Sequence, residues 1–316
     1  MKSIGGYFEL ELNNQGEFHT EAIKVNTGRN ALEYILKVNN YNKIYIPFYT
    51  CDVLLEPIEK LGLPYEFYSI DSKLEPIFNF EDINEKEVFL YTNYFGLKDN
   101  YISELNRTCH NLIIDNAQAF FSKPNGFDSF NSVRKFFGTP EGAYVYSKNE
   151  LKEKLEENSS PIRIDHLVKR IEYGSQMGYN DFINNEDALM NNPIRKMSKL
   201  TSKILKSINY SAVINQRKRN FNYLHENLNF INEFKFQTNN KQVPMCYPFL
   251  EKNNESKRNY LIENNVFVAQ YWPNVTTWCE KDSFEFYLSE NLLALPIDHR
   301  YDNEDMKRIV KLIIEK

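Results

Sequence analysis

Cysteine is sparse and scattered: the four residues, Cys51, Cys109, Cys246 and Cys279, form no C-x-x-C pair. This argues against both a zinc knuckle and a disulfide framework. The five histidines, His19, His110, His166, His225 and His299, show no H-x-x-x-H spacing, so no metal site is expected. No stretch approaches the roughly 18 consecutive apolar residues of a spanning helix. The opening MKSIGGYFELELNNQGEF holds no apolar run of signal-peptide length, so a soluble cytoplasmic protein is expected. A basic excess is also missing: 38 Lys and Arg face 43 Asp and Glu, for a net charge of −5, the reverse of a general nucleic-acid binder. There is no internal repeat and no low-complexity linker, and no G-x-G-x-x-G follows the first strand, which sets aside a dinucleotide-dependent dehydrogenase. Only 2 tryptophans accompany 21 tyrosines and 23 phenylalanines; this skew, with the abundance of Asn, Lys and Ile, reads as coding bias more than function.

What is present fits a globular protein. The 316 residues are 42% hydrophobic and 26% charged, enough for a substantial core and about two domains. In the first half, short apolar runs alternate with helical patterns. Lys43–Pro47, Tyr65–Ile70, Val88–Thr92 and Asn111–Asp115 read as strands, with helical periodicity at Cys51–Gly62 and in DNYISELNRTCH. Such alternation implies an α/β fold with a mostly parallel sheet. From Leu151 to Leu228 the pattern is helical, notably in KMSKLTSKILKSI and VINQRKRNFNYLHENL. VPMCYPFL, a helix at Ser256–Asn264, VFVAQYW and LLALPI before the last helix then suggest a smaller α+β domain.

The chemistry-bearing stretch is LIIDNAQAFF followed by FNSVRKFFGTPEGAYVYS. Asp115 closes an apolar run whose carboxyl end, in a parallel sheet, is where ligands bind. Gln118 follows, then Lys135, then the Glu141-Gly142-Ala143 turn. Alone, an aspartate there is ordinarily a cap and a loop lysine is ordinarily solvated; the joint pattern is what carries information.

That pattern resembles the pyridoxal-phosphate aminotransferases of fold type I, and more narrowly the DegT/DnrJ/EryC1/StrS family of sugar aminotransferases, with its D-x-A-Q-A and S-F-x-x-x-K segments followed by G-E-G-G. Asn26-Thr27-Gly28-Arg29-Asn30-Ala31-Leu32 resembles the family's S-G-T-x-A-L, and Pro47-Phe48-Tyr49-Thr50 its P-x-x-T. Asn93-Tyr94-Phe95-Gly96 resembles H-x-Y-G, and Leu293–Ile297 resembles the L-x-L-P-I before the last helix. The resemblance implies pyridoxal 5′-phosphate as cofactor. Lys135 would hold its aldehyde as a Schiff base and then act as general base. Asp115 would keep the ring nitrogen protonated, and Gln118 would lie against the ring or its phenolic oxygen. The backbone around Gly28, Arg29 and Asn30, at a helix start, would receive the phosphate, and Asn93 would also face the cofactor.

The chain departs from the family in places. Phe130 stands where the family has its serine, so Ser132 is preferred over Ser129 for a phosphate contact. Arg29 replaces the threonine of S-G-T. Cys51 stands where an aromatic ordinarily stacks on the ring, leaving Tyr49, Tyr94 or the sulfur itself to cover that face. The family's G-x-N-x-R element aligns equally with Gly178–Asn180 or Asn192–Arg195. Arg134, Arg195, Arg217 and Arg300 stand as candidates for a donor carboxylate.

The expected fold is α/β, a fold type I PLP-dependent transferase. A large domain with a mostly parallel mixed sheet flanked by helices would span residues 1–200, and a smaller C-terminal α+β domain residues 201–316. The expected activity is transfer of an amino group from an amino acid, glutamate, to a nucleotide-linked keto sugar in polysaccharide or modified-sugar biosynthesis. A homodimer with shared active sites is implied, Gly5–Phe8 being a candidate interface segment. The alternatives are a PLP enzyme of another reaction type or a non-catalytic member of the fold. No metal, nucleic acid or membrane partner is expected.

Overall fold

The computed structural model describes residues 4–124 and 126–316. Its first part comprises β1 (Ile23–Val25), α1 (Gly28–Asn39), β2 (Lys43–Pro47), α2 (Leu55–Lys60), β3 (Tyr65–Ile70), β4 (Pro76–Ile77), β5 (Glu87–Thr92), α3 (Asp99–Leu105), β6 (Leu112–Asp115), β7 (Asp128–Ser132) and β8 (Ala143–Tyr146). These strands form one eight-stranded sheet in the order β1-β8-β7-β6-β5-β2-β3-β4. The five central strands, β7 to β3, run parallel, and β8 and β4 join them antiparallel.

The central strands β5 and β6 are apolar on both faces because both faces are covered. In β5, Val88 and Leu90 belong to a core with Leu32 and Ile35 of α1, while Phe89 and Tyr91 point to the opposite core. The second core is continuous with the C-terminal part of the chain. That part holds α4 (Asp165–Tyr173), α5 (Tyr179–Ala188), α6 (Lys199–Lys206), α7 (Tyr210–Leu228), β9 (Cys246–Leu250), α8 (Glu255–Glu263), α9 (Val275–Trp278), α10 (Phe284–Asn291), β10 (Leu292–Pro296) and α11 (Asn303–Glu315). β9 and β10 form an antiparallel pair in which Cys246 meets Pro296.

Local chemistry sets the helix starts. Thr27 caps α1 by accepting from the Asn30 N–H, Ser198 caps α6 through Thr201, and Asp302 with Asp305 forms a capping box on α11. The turn before β8 needs glycine: Gly142 has φ +123°, and a Cβ there would meet Val133 Cγ2 at 2.8 Å and Thr201 Cγ2 at 2.9 Å.

The structure corrects parts of the sequence reading. The stretch from Leu151 is not helical throughout, since α4 begins only at Asp165 and extended or turn segments precede it. The segment VFVAQYW, unassigned by sequence pattern, contributes one bridge, Ala269 to Ala294. Conversely, the polar DSFNS is β7, a full member of the sheet, and α10 carries no periodicity that marks it.

Candidate active site

Strand ends gather the candidate residues. Asp115 is the last residue of β6 and pairs in register with Thr92 of β5 on one side and Phe130 of β7 on the other. It is 7% exposed, and its Oδ1 accepts from the Ala117 N–H at 2.7 Å. Burial raises its carboxyl above the usual carboxylate range; the Lys135 charge and the Ala117 N–H draw it back down.

Lys135 ends a three-residue turn, Val133–Lys135, that follows β7 directly. The turn is held by the Phe136 and Phe137 N–H groups donating to the Val133 carbonyl at 3.1 and 2.9 Å. The lysine Nζ lies 5.9 Å from the centroid of the Tyr271 ring. Two thiols share this neighbourhood, Cys51 after β2 and Cys246 on β9. Burial pushes both upward, and the Lys135 charge pulls both back. The Lys135 charge thus acts on a buried carboxyl and on two thiols contributed by separate elements.

Gln118 is 1% exposed; its Oε1 accepts from the Phe95 N–H at 2.9 Å, while its Nε2 is buried without a hydrogen-bond partner. Ser132 packs against the start of α1, its Cβ 3.7 Å from where a side chain on Gly28 would begin. The Asn192–Arg195 segment adjoins the same helix start. Asn26 N donates to the Arg195 carbonyl at 3.0 Å, Arg195 N to Asn26 Oδ1 at 3.1 Å, and Asn30 Nδ2 to the Asn192 carbonyl at 2.8 Å. Gly178–Asn180 instead leads into α5.

Other named side chains are engaged elsewhere. Arg29 pairs with Glu56 at 2.9 Å. Asn30 accepts from the Thr27 hydroxyl at 2.7 Å, inside the cap of α1. Asn93 donates to Asp99 at 2.8 Å and to Asn116 at 2.9 Å, and it accepts from Lys98 N at 3.1 Å, so it ties three loops together. Tyr49 is fully buried, edge-on to Trp272 at 5.0 Å, and its carbonyl accepts from the Tyr94 hydroxyl at 2.9 Å.

Among the arginines, Arg134 pairs with Glu186, Arg195 with Glu156 at 3.6 Å, and Arg300 with Asp298 through two bonds of 2.6 and 2.9 Å. Arg217 lies in the core, 4.6 Å over the Phe136 ring and donating to the Met245 carbonyl at 3.0 Å; burial lowers it to about 10. Tyr271 and Cys246 were missed from sequence. Neither lies in a motif, and only the docking of the C-terminal layer brings them to Lys135.

No sequence-family description and no curated protein matches the chain. Solved structures do. DesV from S. venezuelae, solved with a ketimine intermediate, superposes with a TM-score of 0.67 at 14% identity, over 93% of this chain and 84% of that one. A DegT DnrJ EryC1 StrS aminotransferase from Brucella abortus gives 0.63 at 14% identity, over 93% and 85%. The sugar aminotransferase CalS13 from Micromonospora echinospora gives 0.65 at 12% identity, over 93% and 87%. The chain has their fold. It is the α/β fold of the type I PLP-dependent transferases, carried by the mixed eight-stranded sheet.

Proposed function

We propose that this chain is a PLP-dependent sugar aminotransferase that moves an amino group from glutamate to a nucleotide-linked keto sugar. The observation carrying the proposal is the placement of buried Asp115 at the end of β6 and of Lys135 just after the neighbouring β7, close enough for the lysine charge to act on the carboxyl, together with the unpartnered Gln118 amide. The residues fit the cofactor. An orphaned buried donor at Gln118 suits a phenolic oxygen, a buried carboxyl suits a pyridinium nitrogen, and Ser132 with the α1 amides at Gly28 suits a phosphate.

When bound, the cofactor supplies the electron sink that lets an amine change carbon skeletons. The chain does the rest. Lys135 would offer the amine that holds the aldehyde and, once displaced, would be the group able to carry a proton. Asp115, raised by burial, would fall with a cation beside it and would then suit a protonated ring nitrogen. Cys51, half-buried and close to Lys135, replaces an aromatic wall with a smaller, polarisable one. That substitution favours one second reading, the same cofactor with another reaction type.

We further propose a division near residue 200 into a large and a small domain, a cytoplasmic enzyme, and a homodimer. Among the described residues no helix is long and apolar enough to cross a membrane. Ile162, Ile171 and Tyr173, on and before α4, are exposed, and so are Tyr7 and Phe8 of the leading segment; either set supports a surface for a second copy to cover. The functional test is optical. Purified protein loaded with pyridoxal phosphate is treated with glutamate, and the visible band is expected to give way to the pyridoxamine form; a panel of keto sugars then regenerates it. If no amino acid converts the band, transamination is wrong; if conversion occurs but only non-sugar ketones regenerate it, the sugar assignment is wrong.

A further inference from the structure

The turn Asn93–Gly96, which follows β5, carries an outlying backbone. Phe95 is bulky and fully buried, yet it stands at φ +56°, with Gly96 next to it at φ +72°. A left-handed conformation is costly for a large side chain and persists only where the surroundings demand it. The demand comes from residues 115–118. The Phe95 N–H donates to Gln118 Oε1 at 2.9 Å, and the Phe95 carbonyl accepts from the Met245 N–H at 2.9 Å. A Cβ on Gly96 would lie 3.2 Å from the Gln118 carbonyl oxygen, so the two backbones run in close contact.

The first residue of the turn holds the other end. Asn93 is fully buried, and its N–H donates to the Asp115 carbonyl at 2.9 Å. Its side-chain amide has two hydrogens; the nearest acceptors are Asp99 Oδ1 at 2.8 Å and Asn116 Oδ1 at 2.9 Å, with Ser122 Oγ at 3.2 Å. Its Oδ1 accepts from the Lys98 N–H at 3.1 Å, which fixes the direction of the amide. Asn116 is pinned in turn: its N–H donates to the Phe130 carbonyl at 2.7 Å, and its carbonyl accepts from the Ala119 N–H at 2.8 Å. The next N–H, that of Ala117, supplies the one hydrogen bond the Asp115 carboxyl receives among the described residues, at 2.7 Å. Where Asn116 sits therefore decides where that N–H points. The same short turn orients the Gln118 amide and leaves its Nε2 without a partner.

Resting on the functional reading above, we propose that Asn93 and Asn116 are positioning residues for Asp115 and Gln118, acting through the hydrogen bond between their side chains. Such a supporting shell matters because site groups held about an ångström out of place lose much of their effect.

The test binds pyridoxal phosphate to purified variants at a temperature where each is folded by far-ultraviolet circular dichroism. Induced circular dichroism of the bound cofactor and its dissociation constant are the readouts, beside the half-reaction with glutamate. Asn116→Ala cuts the shared bond and leaves Asn93 its bonds to Asp99 and Ser122. It is expected to lose most of the induced signal, with cofactor affinity and half-reaction rate falling by roughly 10- to 100-fold. Asn93→Ala is expected to do the same at a lower melting temperature. Ser122→Ala removes bonds on the far side of the same amide; it is expected to melt lower while signal and affinity stay within about twofold of wild type. Should Asn93→Ala fail to fold, the comparison of Asn116→Ala with Ser122→Ala decides alone. An Asn116→Ala protein with wild-type signal and affinity overturns this inference alone. So does a Ser122→Ala protein as impaired as Asn116→Ala, since the cluster would then be merely structural. A wild-type protein that binds no pyridoxal phosphate overturns the functional reading, and this inference with it.

Discussion

At the scale of the residue, Asp115 carries opposite demands. Burial raises its carboxyl, so its ionised form opposes folding of the cofactor-free chain. The sign follows from linkage: a carboxyl raised in the fold costs stability as pH climbs past its unfolded value near 3.9, and the cost is absent below it. Asp115→Asn keeps an Oδ1 to accept from the Ala117 N–H and removes that cost. The cofactor-free variant is therefore expected to melt no lower than wild type at pH 7, any gain shrinking toward pH 4, while transamination falls roughly 100-fold or more. Thermal scans at both pH values, beside the half-reaction with glutamate, check both parts. A variant that melts well below wild type at pH 7 would show the carboxylate to be structural. For Lys135→Ala the expectation is simpler: the protein folds and, after pyridoxal phosphate, borohydride and removal of free cofactor, retains no adduct above the background of its other lysines.

The same scale explains what the sequence exposed and what it hid. Asp115, Gln118 and Lys135 stand in one short stretch, so their spacing alone is informative. Arg29, Asn30 and Asn93 matched a pattern by position, but short polar side chains near helix starts also cap and brace loops, and the structure shows Asn30 and Asn93 doing so. Tyr271 approaches Lys135 only through tertiary packing, which no local pattern encodes.

At the scale of the element, the turn from Glu141 to Gly142 couples β8 to α6. Glu141 is fully buried and accepts from the Ser198 N–H at 3.2 Å, the Ser198 hydroxyl at 2.8 Å and the Thr201 hydroxyl. It thereby binds the first turn of α6 to the strand that follows Lys135. Gly142→Ala would drive a methyl into Val133, whose own backbone begins the lysine turn. The expected loss is about 2–4 kcal/mol, from overpacking together with a left-handed backbone. Urea unfolding measures it; a loss under about 0.5 kcal/mol would mean the turn relaxes freely. Elements of this kind divide cleanly in legibility. The parallel strands β2, β5 and β6 read directly as apolar runs because both their faces are buried. β7 did not, since Ser129 and Asn131 are polar yet 3% exposed. Their burial is imposed by neighbouring strands and not by their own hydropathy.

At the scale of the whole molecule, the histidines make the fold sensitive to acid. His19 is 1% exposed; its Nδ1 lies 2.7 Å from the Tyr146 hydroxyl and its Nε2 2.7 Å from the Phe120 carbonyl, so a neutral ring satisfies both. Burial lowers it to about 4. His166, His225 and His299 are lowered too, in each case first by burial. All four rings take up protons more readily in the unfolded chain, whose histidines titrate near 6.5. Stability is therefore whole above about pH 6.5 and declines as pH falls, for His19 down to about 4. The His19 contribution is of the order of 3 kcal/mol, since a tenfold change in proton affinity between the folded and unfolded chain corresponds to about 1.4 kcal/mol. Carboxylates lowered by pairing, such as Asp298 beside Arg300, lose their contribution only at lower pH, while raised Asp115 and Asp128 act in the opposite direction, so the histidine share is read from His19→Asn against wild type. Urea unfolding at pH 7.5, 6 and 5 is expected to show a steady decline, with a shallower slope in His19→Asn. The same slope in wild type and in His19→Asn would mean that the His19 ring is solvated in the native state, and the packing of the leading segment against β8 would have to be redrawn.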